Sequence, residues 1–179
     1  MGNSTSSDKR VSDINAESAR PRVIVAEDEA LIRLDLVELL EDQGYEVVAQ
    51  ASDGEEAVSL ARELEPDLVV MDVKMPKMDG ITAADKIAEE RICAVVMLTA
   101  FSQRDLIERA KEAGAMAYVV KPFDVSDVVP AIEIALARFQ EIRAVEDEIA
   151  DLEERLESRK LVDQAKGMLQ SAWASLSQK

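Results

Sequence analysis

The chain has 179 residues, enough for one domain of ordinary size with an appendage. Apolar residues make up 47% and charged residues 32%, which is the balance of a soluble globular protein. No segment approaches the roughly 18 consecutive apolar residues of a membrane-spanning helix. The net charge of −16 disfavours binding to nucleic acid or to an anionic membrane unless a local basic patch opposes it.

The counts of histidine and cysteine exclude several kinds of chemistry. Histidine is absent and cysteine occurs once, at Cys93. Ser-His-Asp and Cys-His catalysis, histidine metal sites and an internal disulfide are therefore excluded. A single thiol also favours a reducing, cytoplasmic location. Any chemistry must use carboxylates, hydroxyls, lysine, the backbone or a hard metal ion.

The chain opens with a polar segment and then alternates between two patterns. Residues 1–20 are rich in serine, aspartate and asparagine and lack apolar periodicity, so we expect a disordered tail. From Pro21 onward, short apolar runs alternate with amphipathic segments. Most of the runs are nearly continuous, which predicts strands that are buried on both faces. They lie at 23–26, 46–49, 68–71, 94–98 and 117–120.

Helical patterns lie between the apolar runs. Ser52 and Glu55 have the spacing of a capping box before one helix, and Ser102 opens another. Gly44 and Gly114 stand where two helices would end. Strand and helix alternate five times, which predicts an α/β fold with a doubly wound five-stranded parallel sheet.

The last third of the chain has a different character. One helical pattern runs from about residue 127 to residue 160, with Pro130 near its first turn, where a missing N–H costs little. A second copy of the chain could pair along a coiled-coil seam in this helix, while packing of the helix on its own domain is the alternative. Like-charged neighbours such as Glu153 and Glu157 indicate that such pairing is weak or depends on the partner. The seam residues are Ile142, Val145, Ile149, Leu152 and Leu156.

Polar side chains follow four of the five predicted strands. Glu27 and Asp28 follow the first strand, Asp72 the third, Thr99 the fourth and Lys121 the fifth. The carboxyl ends of parallel strands meet at the edge of the sheet where ligands bind. Three carboxylates, a hydroxyl and an ammonium group are therefore expected to converge at this edge.

This cluster predicts phosphoryl chemistry supported by magnesium. Two carboxylates about 4 Å apart repel by roughly 4 kcal/mol at an effective dielectric constant of roughly 20, so three need a cation to stay ionised together. Mg²⁺ prefers carboxylate, carbonyl and water oxygens. One carboxylate can then accept a phosphoryl group as an acyl phosphate, with Lys121 pairing the added charge and Thr99 donating a hydrogen bond. The alternative is a solvated polar rim without such chemistry.

Four motifs at these positions resemble the receiver domain of two-component response regulators over residues 22–139. The resemblance implies a flavodoxin-like receiver with sheet order 2-1-3-4-5, followed by a long C-terminal helix and a short helical extension. The motifs are Val-Ile-Val-Ala-Glu27-Asp28-Glu29, Val-Val-Met-Asp72-Val-Lys-Met-Pro-Lys-Met-Asp-Gly80, Val-Met-Leu-Thr99-Ala100 and Tyr118-Val-Val-Lys121-Pro122-Phe123.

The resemblance implies a phosphoacceptor and a set of metal ligands. Asp72 is the implied phosphoacceptor, with a sensor histidine kinase as the donor. Glu27, Asp28 and Asp72, together with the backbone carbonyl of Lys74, are the implied Mg²⁺ ligands. Glu27 stands where the family more often has aspartate, so its carboxylate reaches one methylene further.

The resemblance also implies a conformational switch. Thr99 and Tyr118 form the implied switch pair, in which the hydroxyl moves toward the phosphoryl group and the aromatic ring turns inward. Lys121 bonds the phosphoryl group, and the Lys121–Pro122 peptide is expected to be cis. For Tyr118, plain packing in the core is the alternative.

An enzyme is the competing interpretation from another functional class. Phosphatases of the haloacid dehalogenase type also combine a strand-end aspartate nucleophile with magnesium. They place a second aspartate two residues further on as the general acid, and Lys74 occupies that position here. We therefore expect a regulator rather than an enzyme.

The C-terminal piece resembles the beginning of an ANTAR output domain, the RNA-binding antiterminator type of actinobacterial response regulators. This resemblance implies binding to RNA hairpins and transcription antitermination, with Arg159, Lys160 and Lys166 as candidate RNA-binding residues. Protein association through the helix, without RNA binding, is the alternative output. The resemblance is carried by Leu152-Glu-Glu-Arg-Leu156-Glu-Ser-Arg159-Lys160-Leu-Val-Asp-Gln-Ala165-Lys166-Gly167-Met-Leu169.

This chain departs from the ANTAR pattern after Gly167. The rest of the family's helical bundle is expected to be missing or replaced. Segment 141–179 holds six basic and nine acidic residues, a net charge of −3, which does not favour RNA. We therefore divide the chain into a tail over 1–20, a receiver domain over 21–139, and a helical coiled-coil linker with a truncated ANTAR-like region over 140–179. No membrane partner is expected.

Overall fold

The computed structural model describes residues 19–100 and 104–177. Contacts between residues divide the chain into one unit that ends at Ala135 and a second unit that begins at Leu136. The expected tail lies outside the described residues, apart from residues 19 and 20, and Ser102 also lies outside them. None of the described helices combines the length and the apolar character that crossing a bilayer requires.

The first unit is built from alternating strands and helices. Its strands are β1 (Arg22–Ala26), β2 (Glu46–Ala51), β3 (Leu68–Asp72), β4 (Ala94–Thr99) and β5 (Ala117–Val120). Its helices are α1 (Ala30–Asp42), α2 (Gly54–Leu64), α3 (Gly80–Glu89), α4 (Arg104–Glu112) and the beginning of α5 (Val125–Leu176).

The five strands form one parallel sheet in the order β2-β1-β3-β4-β5. This order confirms the flavodoxin-like fold that the receiver resemblance implied. Every residue of β3 and β4 is buried, as the continuous apolar runs predicted. The order also places the carboxyl end of β1 beside that of β3, and that of β3 beside that of β4.

The two faces of the sheet pack against different helices. Ile24, Val69 and Val95 belong to a buried apolar cluster that also contains residues of α2, α3 and α4. The residues that follow them point to the opposite face, because side chains alternate along a strand. Leu36 of α1 and Ile132 of α5 are fully buried outside that cluster.

The start of α2 differs from the predicted capping box. Asp53, rather than Ser52, is the N-cap, and its carboxylate accepts a hydrogen bond of 2.9 Å from the backbone N–H of Glu56. The backbone N–H of Ser52 instead donates to the Glu56 carboxylate at 2.9 Å. The predicted pair of Ser52 and Glu55 was therefore wrong by one residue, because aspartate caps a helix as well as serine does.

The long helix also differs from its prediction. Helix α5 runs from Val125 to Leu176, whereas the pattern predicted about 127–160, and the expected short extension is part of the same helix. Pro130 is the sixth residue of α5 rather than a first-turn residue, so the helix lacks one internal hydrogen bond there. In the first unit, α5 buries Val128, Ala131, Ile132 and Ala135.

Candidate functional site

The carboxyl ends of β1 and β3 bring three carboxylates together. One carboxylate oxygen from each of Glu27, Asp28 and Asp72 lies within 4.8 Å of the other two. Glu27 is fully buried, Asp72 is 7% exposed, and Asp28 is open to solvent. The structure therefore assembles the acidic cluster that the strand ends predicted.

The ammonium group of Lys121 lies inside this cluster. Its Nζ is 2.6 Å from Oε2 of Glu27 and 3.2 Å from Oδ2 of Asp72. The backbone N–H of Lys121 donates to the carbonyl of Thr99 at 2.7 Å. The peptide between Lys121 and Pro122 is cis, as expected from the resemblance. Lys121 thus joins the carboxyl ends of β1, β3 and β4.

Burial and neighbouring charges shift the pKa values of Glu27 and Lys121. Burial raises the pKa of the Glu27 carboxyl above its ordinary value of 4.5, and the charge of Asp72 adds to the rise, although the hydrogen bonds from Lys121 and the Glu29 backbone lower it in part. Burial lowers the pKa of Lys121, but the hydrogen bond and charge of Glu27, together with the charge of Asp72, outweigh it and leave that pKa raised. The ammonium group therefore stays charged, while the Glu27 carboxylate depends on it for compensation.

Both oxygens of Glu27 and its backbone are held in place. Oε1 accepts a hydrogen bond of 3.1 Å from the backbone N–H of Glu29. The guanidinium of Arg33 on α1 donates to the Glu27 carbonyl at 2.6 Å and to the Gln50 side chain at 3.3 Å. The sequence analysis missed Arg33, because nothing in the sequence distinguishes this residue from other basic residues on exposed helices.

A close backbone approach fixes the loop that follows Asp72. The backbone N–H of Val73 donates a hydrogen bond to the carbonyl of Leu98 at 3.0 Å, and the backbone N–H of Gly80 donates one to the carbonyl of Val73 at 2.8 Å. A Cβ atom on Gly80 would lie 1.9 Å from the carbonyl oxygen of Asp72. Only glycine fits this position without movement of the phosphoacceptor candidate.

The start of α2 holds the same loop from the other side. The N–H of Gly54 donates to the Met78 carbonyl at 3.1 Å, and a Cβ atom on Gly54 would lie 2.2 Å from that oxygen. The ammonium of Lys77 is 3.2 Å from the carboxylate of Asp53, which is almost fully buried. The Asp53-Gly54 pair was missed as a support of the site, although an aspartate-glycine pair before a helix is a recognisable signal.

Five of the predicted site residues lie around one cavity. This cavity has a volume of about 220 Å³, and Thr99, Lys74 and Lys121 line it together with Asp28 and Asp72. Thr99 is buried at the end of β4. The oxygen and ammonium groups of the cavity are suited to a phosphoryl group, and its carboxylates are suited to a hard divalent cation.

Tyr118 and the candidate RNA-binding residues lie elsewhere. The Tyr118 side chain is on β5 and is 44% exposed, so its ring is not packed in the core. Arg159, Lys160 and Lys166 are exposed on the part of α5 that belongs to the second unit. Arg159 and Lys166, seven residues apart, lie on one side of the helix, and Lys160 points about 100° away from Arg159.

The fold and the acidic edge together define a class of protein. The response regulator receiver domain matches residues 23–133 of the chain, and the chain therefore belongs to the response regulator family. It is 63% identical to the transcriptional regulatory protein PdtaR of Mycobacterium tuberculosis over 158 residues, which are 88% of this chain and 77% of PdtaR. This relative confirms the resemblance to actinobacterial regulators.

Two solved structures support the same family. The receiver domain of the response regulator NarL from Mycobacterium tuberculosis has a TM-score of 0.63 and 27% identity, over 66% of this chain and 97% of that one. The CheX–CheY–BeF3–Mg²⁺ complex from Borrelia burgdorferi has a TM-score of 0.60 and 29% identity, over 66% of this chain and 92% of that one.

Proposed function

We propose that the chain is a transcriptional response regulator that accepts a phosphoryl group on Asp72 from a sensor histidine kinase. The observation that carries this proposal is the placement of Asp72 beside Glu27, Asp28 and Lys121 at one sheet edge. A carboxylate oxygen of Asp72 would bond to phosphorus as the bond between phosphorus and the kinase histidine breaks. The product is an acyl phosphate on Asp72.

The acidic cluster fits Mg²⁺ as the partner of this reaction. Asp28, Asp72 and the backbone carbonyl of Lys74 would hold the ion, with Glu27 completing the charge around it. When bound, the ion would neutralise the carboxylates and the incoming phosphoryl oxygens. The name of the CheX–CheY complex includes both Mg²⁺ and BeF3, a mimic of a phosphoryl group, which supports such a site in a relative of this chain.

Lys121 and Thr99 would stabilise the added phosphoryl group. The ammonium of Lys121 is 3.2 Å from Asp72 and would form a charge-assisted hydrogen bond to a phosphoryl oxygen. Thr99 lines the same cavity and would donate a hydroxyl hydrogen bond. Movement of Thr99 would leave room for the exposed Tyr118 ring to turn inward, which shifts the domain between two conformers.

The output proposed for this chain is RNA-binding transcription antitermination through the ANTAR-like region. The name of the relative PdtaR, a transcriptional regulatory protein, supports an effect on transcription. Arg159, Lys160 and Lys166 would contact the phosphates of RNA hairpins. The alternative output is phosphorylation-dependent protein association, which is supported by the exposed apolar residues of α5.

The first experiment tests the phosphoacceptor. Asp72→Asn should abolish the binding of beryllofluoride and labelling by a phosphorylated histidine kinase, because the amide is not a nucleophile. Asp35→Asn, an exposed change on α1, is the matched control and should keep both. Intact mass after labelling, together with ¹⁹F NMR of bound beryllofluoride, gives the readout. Labelling that persists in Asp72→Asn would move the acceptor to another residue.

The second experiment separates the two outputs. The full chain, saturated with Mg²⁺ and beryllofluoride, is titrated with tandem RNA hairpins in a gel-shift assay over a range of salt concentrations. Neutralising Arg159, Lys160 and Lys166 to glutamine should lower the slope of log affinity against log salt by about 2–3. Lys111→Gln on α4 is the control. The absence of any shift with the unaltered protein would favour protein association as the output.

A further inference from the structure

Asp53 is a buried carboxylate that the proposed phosphoryl chemistry does not use. It is 5% exposed, and it does not belong to the described residues that line the cavity. Its Oδ1 accepts the capping hydrogen bond from the backbone N–H of Glu56, and its Oδ2 lies 3.2 Å from Nζ of Lys77. Capping of α2 needs only the first of these contacts. The ion pair is a separate connection, from α2 to the loop that follows β3.

Lys77 has a backbone conformation that lysine rarely adopts. Its φ of 63° lies in the left-handed region. The backbone N–H of Met78 donates to the carbonyl of Pro76 at 2.8 Å and closes a three-residue γ-turn around Lys77. A γ-turn with positive φ at its centre is the rare and strained kind, and glycine would adopt this φ without steric cost. Strain of this sort persists where the surroundings hold the residue, and it is concentrated near functional sites.

The loop that contains Lys77 also carries a backbone group of the site. Lys74 lines the cavity, and its carbonyl is one of the Mg²⁺ ligands proposed above. Only two residues, Met75 and Pro76, separate Lys74 from Lys77, and the ring of Pro76 fixes the backbone φ at that position. A displacement of Lys77 is therefore transmitted to Lys74 through a short and stiff piece of chain.

The start of α2 is a firm anchor for this loop. Asp53 holds Lys77 through its side chain, and the backbone N–H of Gly54 holds the carbonyl of Met78 at 3.1 Å. Two consecutive residues of α2 and its cap thus hold two consecutive residues of the loop. Ala57 and Val58, one turn further along α2, belong to the buried apolar cluster under the sheet. The anchor is therefore part of the core.

We propose that Asp53 and Lys77 are positioning residues for the metal site. Their ion pair would hold the loop so that the Lys74 carbonyl is in place for Mg²⁺, although neither side chain contacts the ion. Mg²⁺ demands near-ideal octahedral geometry, so its affinity is sensitive to the position of each ligand. This inference rests on the proposed function and adds two residues to its metal site.

The effect of charge alone would differ from the effect of positioning. A carboxylate attracts a nearby cation and an ammonium group repels it. Through charge alone, loss of the Asp53 carboxylate would weaken Mg²⁺ binding, whereas loss of the Lys77 ammonium would strengthen it. If the ion pair positions the loop, both losses weaken Mg²⁺ binding. The direction of the change at Lys77 therefore separates the two explanations.

The test measures Mg²⁺ affinity in variants of the full chain by NMR titration. Asp53→Asn removes the charge and keeps a good helix cap, and Lys77→Gln removes the ammonium. Each should weaken Mg²⁺ binding by about fivefold or more, and Lys77→Arg, which keeps the ion pair, should stay within about twofold of the unaltered protein. Asp79→Asn, the same change in the exposed cap of α3, is the matched control and should also stay within about twofold.

Two further measurements exclude a general loss of stability as the cause. The double variant Asp53→Asn/Lys77→Gln should bind Mg²⁺ within about twofold of the weaker single variant, because the two residues act as a pair. Ca²⁺ has the same charge as Mg²⁺ and tolerates flexible ligand sets, so its affinity should fall by less than about twofold in each variant. Lys77→Gly removes the strain together with the ammonium and should still weaken Mg²⁺ binding. Circular dichroism checks that each variant is folded.

Three results would overturn the proposal. The first is a Lys77→Gln variant whose Mg²⁺ affinity is unchanged or higher. The second is a double variant in which the two losses add, because Asp53 and Lys77 would then act independently. The third is an equal fall in the affinities for Mg²⁺ and Ca²⁺. Failure of the proposed metal site itself is recognised separately, because the unaltered protein would then bind no Mg²⁺ or Asp72→Asn would bind it equally well.

Discussion

Lys121 supplies the positive charge that compensates two buried carboxylates, those of Glu27 and Asp72. Its side chain is 15% exposed and contacts both Glu27 and Asp72. Removing one member of a buried ion pair is far more destabilising than removing a surface pair, because the remaining charge keeps its desolvation penalty. The site therefore depends on this residue for stability as well as for chemistry.

We predict that Lys121→Met lowers the free energy of unfolding by about 3 kcal/mol at neutral pH. The raised pKa of Glu27 sets the pH dependence, because protonation removes the uncompensated charge. The difference in the free energy of unfolding between Lys121→Met and the unaltered protein should shrink as the pH falls toward that pKa and grow as the pH rises through it. Urea denaturation over a range of pH values measures the effect.

Lys111→Met is the control for this prediction. Lys111 pairs with Glu108 at 3.4 Å on the exposed side of α4, so its loss should change the stability by less than about 0.5 kcal/mol. A similar loss of stability in both variants would contradict the prediction, because the buried ion pairs of Lys121 would then stabilise the fold no more than an exposed pair does.

At the scale of helices and strands, the elements that can be predicted from the sequence are those set by the local pattern of apolar residues. The five strands were predicted from their short apolar runs, but the expected burial on both faces holds only for β1, β3 and β4. The edge strands β2 and β5 are partly exposed. The α2 cap was misplaced because Ser52 and Asp53 are both good cap residues and only the backbone decides between them. The end of α5 was placed near residue 160 because the apolar side changes after Leu156, and a change of side interrupts a heptad pattern without interrupting a helix.

The supports of the site could not be predicted from local pattern. Arg33 reaches Glu27 from α1, and Asp53 reaches Lys77 in the loop after β3. Both contacts join residues from different elements, so their spacing along the chain carries no periodic signal. The strand ends were predictable because the sheet topology itself brings them to one edge.

Glycine substitutions test the close approach between α3 and β3. Gly80→Ala should lower the free energy of unfolding by about 1–3 kcal/mol and weaken beryllofluoride binding, because the added Cβ would lie 1.9 Å from the Asp72 carbonyl oxygen. Gly167→Ala, where no atom lies within 4 Å, should instead favour the helix by about 0.5–1 kcal/mol. Thermal unfolding and beryllofluoride titration measure the two effects. Equal stability of Gly80→Ala and the unaltered protein would show that the loop moves freely.

At the scale of the whole molecule, the acidic site and the apolar core belong to the first unit. Glu27, Asp72 and Lys121 precede Ala135, where that unit ends. The buried residues of α5 lie at or before the same residue. We propose that the receiver accepts the phosphoryl group and that the rest of α5 provides the output. This division of function matches the division of the chain into two units.

We predict that a fragment of residues 21–139 folds and keeps the Mg²⁺ and beryllofluoride affinities of the full chain within about threefold, a difference of less than 1 kcal/mol. Isothermal titration of both proteins provides the comparison. A fragment that folds, as shown by circular dichroism, but binds neither ligand would mean that residues beyond 139 complete the site.

The position of Lys121 has a consequence for the edge of the sheet. Strand β5 has four residues and, among the described strands, pairs with β4 alone. Lys121, which follows β5, is held through its backbone to Thr99 and through its side chain to Glu27 and Asp72. Any anion that draws the ammonium toward itself therefore pulls on the residue that directly follows β5, the shortest described strand of the sheet. Deuterium uptake along Ala117–Val120 is therefore expected to change when an anion replaces the carboxylates as the partner of Lys121, and it can be measured without a probe attached to the site.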